Sequence, residues 1–484
     1  MSQHASDWEA VIGLEVHAQL RTESKLFSAA PNSFGAEPNT QTTEVDLGLP
    51  GVLPVINRRA VELAMRAALA LGCEIQPVST FARKHYFYPD LPKGYQISQY
   101  DEPYSTGGVV PVSIDGELHE IALTRIHMEE DAGKLIHDEA VTGGGVSHVD
   151  LNRAGVPLIE IVSEPEIQSA EEAGAYLRSL RTILRYLDVS DADMEKGHFR
   201  CDANISVRKR GITELGTKVE LKNLNSFKFV ERAIGYEIER QIDVCEEGGT
   251  IVQETRLWDD RAGETRAMRT KEFAHDYRYL PDPDLVPLRI DAEWIEAVKR
   301  ELPELPHQKR QRYVSEMQLS AADTQVLTED RDVAAFFEET VRLHPQPKTV
   351  ANWIMRSLLE VLSDTGRDLS ELPLTPAHLA KLLELLAQGK VTAASARKIF
   401  QEMARTGAQA DEIMRARGFE AVSDTGELEA LAREVLEANP GQLEKYRGGE
   451  EKLFNFFVGQ LMRRTQGKAD PGVVREVLTR LLSN

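Results

Sequence analysis

The chain has 484 residues, 57 of them basic and 78 acidic, for a formal net charge of −21. At about 150 residues per domain this length suggests roughly three domains, with enough core to fold without disulfide staples. The charge excludes a simple nucleic-acid coat with a uniformly basic surface, though not an enzyme whose cations gather in one place.

Up to about residue 289, short β-branched runs alternate with long loops, at 11–16, 109–114, 121–126, 156–162 and 204–207. Three helices interrupt them. Asn57 caps a segment whose Val61, Met65, Ala68 and Leu71 share one face and which Gly72 ends. Ser169 and Glu172 form a capping-box pattern ahead of Tyr176, Leu177, Leu180 and Leu184. The third helix spans about 229–245 and stops before Gly248 and Gly249. Strands and helices do not alternate regularly, so an α+β domain with an antiparallel or mixed sheet is predicted rather than a doubly wound fold.

Pro-rich breaks at 279–284 and 302–306 put a boundary near 290. Beyond it the 3.6-residue period predicts helices at 333–343, 350–362, 376–388 and 393–405. A second break near 405–407 precedes helices at 428–438, 451–465 and 471–482. The expected organisation is an α+β domain over 1–290, an all-helical domain over 291–406 and a small helical tail domain over 407–484.

Charge is uneven along these parts. Residues 351–484 hold 18 basic and 19 acidic groups, and the residues before them 39 and 59. Residues 452–484 reverse the sign, with 6 basic and 2 acidic groups. Such a fluctuation arises on solvated helix faces as readily as on a binding surface. Cys73, Cys201 and Cys245 lie far apart with no CxxC pair, so neither a disulfide framework nor a zinc ribbon is expected. No apolar run reaches the roughly 18 residues of a membrane span. The first ten residues carry no apolar or Arg-rich leader, so a cytoplasmic, reduced setting is the expectation.

Four stretches carry candidate chemistry. On a strand, Glu15 and His17 share a face, a pairing that suits a divalent metal or acid–base work, or forms a plain surface pair. His127 begins a segment in which Glu129, Glu130 and Asp131 make a hard, oxygen-rich cluster, either a Mg²⁺ site or a solvated turn. Glu160 lies inside the apolar run 156–162, where an ionised carboxylate is costly unless paired, metal-bound or on a wet face. Asp150, Asn152 and Arg153 precede it. Between Lys84 and Tyr100, aromatics including Tyr86 and Tyr88 interleave with Lys84, His85 and Lys93, a mixture suited to base stacking and phosphate contact or to a packed loop. Residues 218–228, with Lys222, Asn223, Asn225 and Lys228, are a lesser candidate of that kind. No Walker-type loop occurs, since the Gly143–Gly145 run lacks the following Lys-Ser/Thr, and no G-x-S-x-G elbow is present.

Together these stretches resemble the B subunits of aspartyl/glutamyl-tRNA amidotransferases. The likeness includes 11–17, 34–38, 50–54, 86–99, 127–134, 150–165, 200–206, 220–227 and 276–287, with Asn352-Trp353 and Gly459-Gln460 in the helical part. The resemblance implies a β-rich cradle domain, a helical domain and a tail domain; the basic excess of residues 452–484 then gives the tail an expected role in gripping tRNA phosphates. It implies a ligase that uses ATP and Mg²⁺ to phosphorylate the side-chain carboxylate of Glu-tRNA(Gln) or Asp-tRNA(Asn). Ammonia arriving from an amidase-type A subunit then displaces the phosphate, and a small C subunit wraps between the two. Carried onto this sequence, Glu15, His17, Glu129, Glu130 and Glu160 are the expected catalytic residues. Glu15, His17, Glu130 and Glu160 are expected to hold the metal, with His17 either ligand or acid–base group. Lys84, Tyr86, Tyr88 and Lys93, and in the tail Arg463, Arg464 and Lys468, are the expected tRNA contacts. Some members of the family carry paired cysteines near the start; residues 20–34 here hold Ser28 and no cysteine, so no zinc is expected. The alternative is a non-catalytic tRNA scaffold with a structural cation.

Overall fold

The computed structural model describes residues 7–114, 116–137, 146–268, 277–421, 425–465 and 468–482. The Gly143–Gly145 run lies outside them. The chain divides into two compact units, one up to His307 and one from Gln308 onward.

The first unit is α+β, as the irregular alternation predicts. Its strands are β1 (Trp8–Gln19), β2 (Ala82–His85), β3 (Tyr95–Ser98), β4 (Val109–Ile114), β5 (Glu117–Glu130), β6 (Pro157–Ser163), β7 (Phe199–Lys209), β8 (Val219–Lys222), β9 (Thr255–Asp259), β10 (Glu264–Ala267) and β11 (Leu280–Pro281), besides several two- and three-residue pieces. The main sheet runs β10-β9-β8-β7-β1-β6-β5, then Ser105–Thr106 and Glu74–Ile75, with β4 also on β5. It is mixed, antiparallel throughout except for β8 beside β9. A second small sheet, β11-β2-β3, is separate in its strand pairing but packs on the end of β5, where Ile97 donates its amide to Glu130.

One face of the main sheet is apolar. Leu14, Val16, Ile126, Met128, Ile159 and Ile161 are fully buried there, in a core shared with four helices. These are α1 (Arg58–Ala70), α2 (Ala170–Tyr186), α3 (Phe227–Glu246) and the short α4 (Ala292–Arg300), which adds Val298. Asn57 caps α1 by accepting from the Arg59 and Ala60 amides. Ser169 accepts from the Glu172 amide, and the Glu172 carboxylate answers on the Gln168 amide, one residue before the usual capping-box target. The strands are longer than their β-branched runs suggest. Predicted strand 204–207 is the middle of an 11-residue strand, because alternate positions of β7 are polar and face away from the core.

The second unit is helical among its described residues. It holds two apolar clusters, one built from residues between Tyr313 and Met414 and one from residues between Leu428 and Leu482. The helix Ala410–Arg417 joins the first through Ala410, Ile413 and Met414. Predicted helix 350–362 is continuous from Pro347 to Thr365 but passes through a π turn at Ile354–Leu358. No described helix is long and apolar enough to cross a membrane.

Candidate active site

The site grows from strand register. β1 lies between β6 and β7, with His17 opposite both Glu160 and Arg200, and Glu15 opposite Val162 and Asp202. β5 then sets His127 opposite Glu160. Opposed residues share a face, as do residues two apart on one strand. Glu15, His17, His127, Glu129, Glu160, Arg200 and Asp202 therefore all fall on the face that turns away from the helices.

At its centre His17 Nε2 lies 3.3 Å from Glu129 Oε1 and 3.3 Å from Glu160 Oε2. His127 Nε2 approaches Glu160 Oε2 at 3.2 Å. His17, Glu129 and Glu160 each offer a donor atom within 4.8 Å of the others, a grouping able to hold a metal ion. Burial opposes protonation of His17, but the hydrogen bonds and charges of Glu129 and Glu160 outweigh it and raise its pKa to about 10. Burial likewise opposes ionisation of Glu160, yet His127 and His17 hold its carboxyl well below the usual range. In the metal-free protein a proton on His17 thus does part of the work of a cation.

Around this centre the face is laced with charge. Glu15 accepts from Asn204 Nδ2 at 2.9 Å, while burial and then the charges of Glu160 and Asp202 push its pKa up. Asp131 accepts from Arg200 at 2.9 Å and lies 3.5 Å from Arg153; those guanidiniums hold its carboxyl down against the cost of burial. Lys222 bridges Asp202 at 2.6 Å and Glu220 at 2.9 Å.

Of the four residues expected to hold a metal, only His17 and Glu160 meet in the three-residue group; Glu129 is its third member. Glu130 follows Glu129 on β5, so it points through to the opposite face. There Lys93 and the Ile97 amide bind its carboxylate. Glu15 shares the face of His17 as the spacing predicts, but lies one strand pair further along, held by Asn204. The Lys84 ammonium lies 4.9 Å from the centre of the Tyr277 ring; burial lowers its proton affinity, and the charges of Glu129, Tyr279 and Glu160 more than restore it. Tyr86 donates to Gln96 Oε1 at 3.0 Å, and burial followed by Glu129 pushes its hydroxyl pKa up. Tyr88 is half exposed. In the tail cluster Arg464 pairs with Glu434 at 3.2 Å, Arg463 is exposed, and Lys468 is half-buried.

Sequence reasoning assigns no role to His127, Arg200 or Asp202. His127 stands two residues before Glu129, so strand alternation points to it; Arg200 and Asp202 alternate in the same way along β7.

Beside the cluster opens a cleft of about 1190 Å³, lined among others by Gln19, Phe34, Asn152, Arg153, His198 and Arg200. One wall is the strap 149–156 that leads into the Glu160 strand, and it is stapled from several sides. Asn39 Nδ2 donates to the Val149 carbonyl, and its Oδ1 accepts from the Leu151 amide. Asn152 accepts from the Gln41 amide and donates to the Glu37 carbonyl. Lys25, with its side chain fully buried, lies 3.4 Å from the Leu151 carbonyl and 3.6 Å from Asp46. Gly155, at φ +84°, passes so close to Asp46 that a Cβ would sit 2.6 Å from its Oδ1.

Known proteins resemble this chain over nearly its whole length. The family description "GatB/GatE catalytic domain" matches residues 10–296, and "GatB domain" matches residues 335–482. The aspartyl/glutamyl-tRNA(Asn/Gln) amidotransferase B subunit of Geotalea daltonii is 54% identical over 476 residues, covering 98% of this chain and 99% of its own. The proteins of the same name from Thermodesulfovibrio yellowstonii and Geobacter sulfurreducens are 52% and 53% identical, each over 98% of this chain and 99% of theirs. The cluster on β1, β5 and β6 lies inside the matched catalytic region, and the chain belongs to the family of tRNA-dependent amidotransferase B subunits.

Proposed function

We propose that this chain phosphorylates and then amidates the side-chain carboxylate of a tRNA-bound amino acid, Glu-tRNA(Gln), Asp-tRNA(Asn) or both. ATP supplies the phosphoryl group. Ammonia comes from glutamine through an amidase-type A subunit, and a small C subunit completes the assembly. The observation that carries this reading is the His17–Glu129–Glu160 group on a charged sheet face beside a large cleft.

Phosphoryl transfer asks for positioning and neutralised charge more than for covalent help. Carboxylates alone would repel ATP. The two carboxylate oxygens suit a hard cation such as Mg²⁺, and Glu129 and Glu160, with His17 beside them, are the residues that would hold it. An ion held by them would supply the positive charge that neutralises phosphate. Lys84 adds a fixed cation at the same place, and Arg200, turned toward the cleft, adds another. The γ-phosphoryl group passes to the substrate carboxylate, giving ADP and an acyl phosphate. Ammonia attacks the acyl carbon, phosphate leaves, and nitrogen sheds a proton as the amide forms. Water would destroy the acyl phosphate, so the tyrosines and Lys84 of β2 and its neighbours serve to limit its access.

The test is the reconstituted complex with its A and C partners, given misacylated tRNA, glutamine and Mg²⁺. Mass analysis of the charged tRNA should find the amide only when ATP is present. Amide formation without ATP contradicts the reading, and its absence under all conditions favours the scaffold alternative.

A further inference from the structure

Five tyrosine rings from three separate segments form a continuous strip beside the cluster. Tyr88 meets Tyr86 with centroids 6.2 Å apart, Tyr86 meets Tyr277 at 6.1 Å, and Tyr277 meets Tyr279 at 6.1 Å. Tyr279 stacks on Tyr100 at 4.1 Å with planes only 7° apart. The Lys84 ammonium lies 4.9 Å from the centre of the Tyr277 ring.

The strip is built to stay in place. The backbone of 277–282 is sewn to β2: His85 donates its amide to the Tyr277 carbonyl at 2.8 Å, and Asp282 donates to the Phe81 carbonyl at 2.8 Å. Arg83 clasps Asp282 and Asp284, each at 2.8 Å. Arg278, between two of the rings, is held at φ +43°, a left-handed conformation that a non-glycine residue adopts only at a cost. Yet the rings are not sealed in a core. Tyr100 is 47% exposed and Tyr88 50%.

The strip also reaches the strand that carries the cluster: Tyr86 donates to Gln96 Oε1 at 3.0 Å, and Gln96 Nε2 donates to the carbonyl of Glu130, the residue after Glu129, at 2.6 Å. Rings held in place, two of them half exposed and three partly buried, beside the Lys84 cation suit unpaired bases, which stack on aromatic faces without regard to sequence. A single nucleotide would engage one or two rings; five in succession suit a strand.

We propose that Tyr86, Tyr100, Tyr277 and Tyr279 form the stacking platform for the single-stranded 3′ end of the tRNA, which delivers the aminoacyl carboxylate to the His17–Glu129–Glu160 cluster. This rests on the function proposed above. Tyr277, Tyr279 and Tyr100 thereby become positioning residues, acting on where the acyl group sits rather than on its chemistry.

The experiment uses the full complex and a charged tRNA whose 3′-terminal adenosine is replaced by 2-aminopurine riboside, a base whose fluorescence falls on stacking. Wild type should quench it on binding. Tyr279→Phe, which keeps the ring, should quench as wild type does. Tyr279→Leu and Tyr277→Leu, which keep apolar bulk without the ring, should quench little and raise the KM for tRNA about 10-fold, with the KM for ATP unchanged. If wild type amidates the labelled tRNA without quenching it, or the Leu variants quench equally, the platform is wrong while the function stands. If the label quenches only when carried on a free triphosphate, the strip serves ATP and the proposal fails. If wild type forms no amide at all, the function itself falls and this proposal with it.

Discussion

Glu129 and Glu130 are neighbours on one strand and work on opposite sides of the sheet. Glu129 lies 3.3 Å from His17 on the charged face, while Glu130 is bound by Lys93 and the Ile97 amide on the other. The two carboxylates should therefore fail differently. Glu129→Gln should weaken divalent-ion affinity by at least about 10-fold, the lower end of what loss of even a ligand's outer partner costs, and lower the pKa of His17, whose partner it removes. Glu130→Gln leaves Lys93 buried without a counter-charge and should cost roughly 3 kcal/mol of stability, with metal affinity nearly kept. Calorimetric titration with Mn²⁺ and denaturant unfolding of both variants separate the two effects; equal loss of ion affinity would contradict the assignment of faces.

The proton on His17 gives a pH signature. Its pKa in the folded protein is raised to about 10, against about 6.5 in an unfolded chain. A raised pKa stabilises the fold fully below the unfolded value and progressively less as pH rises through the folded one. In metal-free protein, the stability difference between wild type and His17→Gln should be constant below about pH 6.5 and shrink toward pH 10. With saturating Mg²⁺ the proton is displaced and that dependence should flatten. A difference that grows with pH would overturn the charge arrangement described.

At Gly155 the backbone is left-handed and pressed against Asp46. Gly155→Ala should destabilise the protein by more than about 1 kcal/mol, the usual cost of that conformation for a residue with a Cβ. The strap that carries Arg153 and leads to Glu160 should shift with it. Thermal unfolding and hydrogen exchange over residues 149–156 read both effects; a neutral Ala variant would mean the Lys25–Asp46 anchorage yields easily.

The tail arginines are not equivalent. Arg464 already spends its charge on Glu434, while Arg463 is exposed without a carboxylate partner among the described residues. Under the proposed role in tRNA binding, Arg463→Glu should raise the KM for tRNA more than Arg464→Glu and lower the salt dependence of binding by about one phosphate contact. Filter binding at several salt concentrations checks the order of the two.

Much of the site is legible in one dimension. The i, i+2 spacing of Glu15 and His17 does put both on one face, and Glu160 inside an apolar run does mark a carboxylate with partners. What sequence leaves out is pairing. Nothing local says that Glu160 meets His127 and His17 at once, because that needs the register of three strands drawn from residues 8–163. The run of three acids after His127 reads as a single cluster, yet the pleat of β5 divides Glu129 from Glu130. Tyr277 and Tyr279 are distant in sequence from Lys84, and only the pairing of β11 with β2 joins them. The long polar-faced strands are under-read for the same reason: their wet face breaks the hydrophobic pattern.

The central claim is that the His17–Glu129–Glu160 group supports ATP-dependent activation of the tRNA-bound carboxylate. Phosphate release from ATP by the reconstituted complex, with misacylated tRNA present and absent, tests it most directly in wild type and Glu160→Gln. Release should depend on the charged tRNA in wild type and fall by at least about 100-fold in Glu160→Gln, the scale lost when charge stabilisation of a transition state is removed, while tRNA binding is kept. Release that continues at the wild-type rate in Glu160→Gln would contradict it.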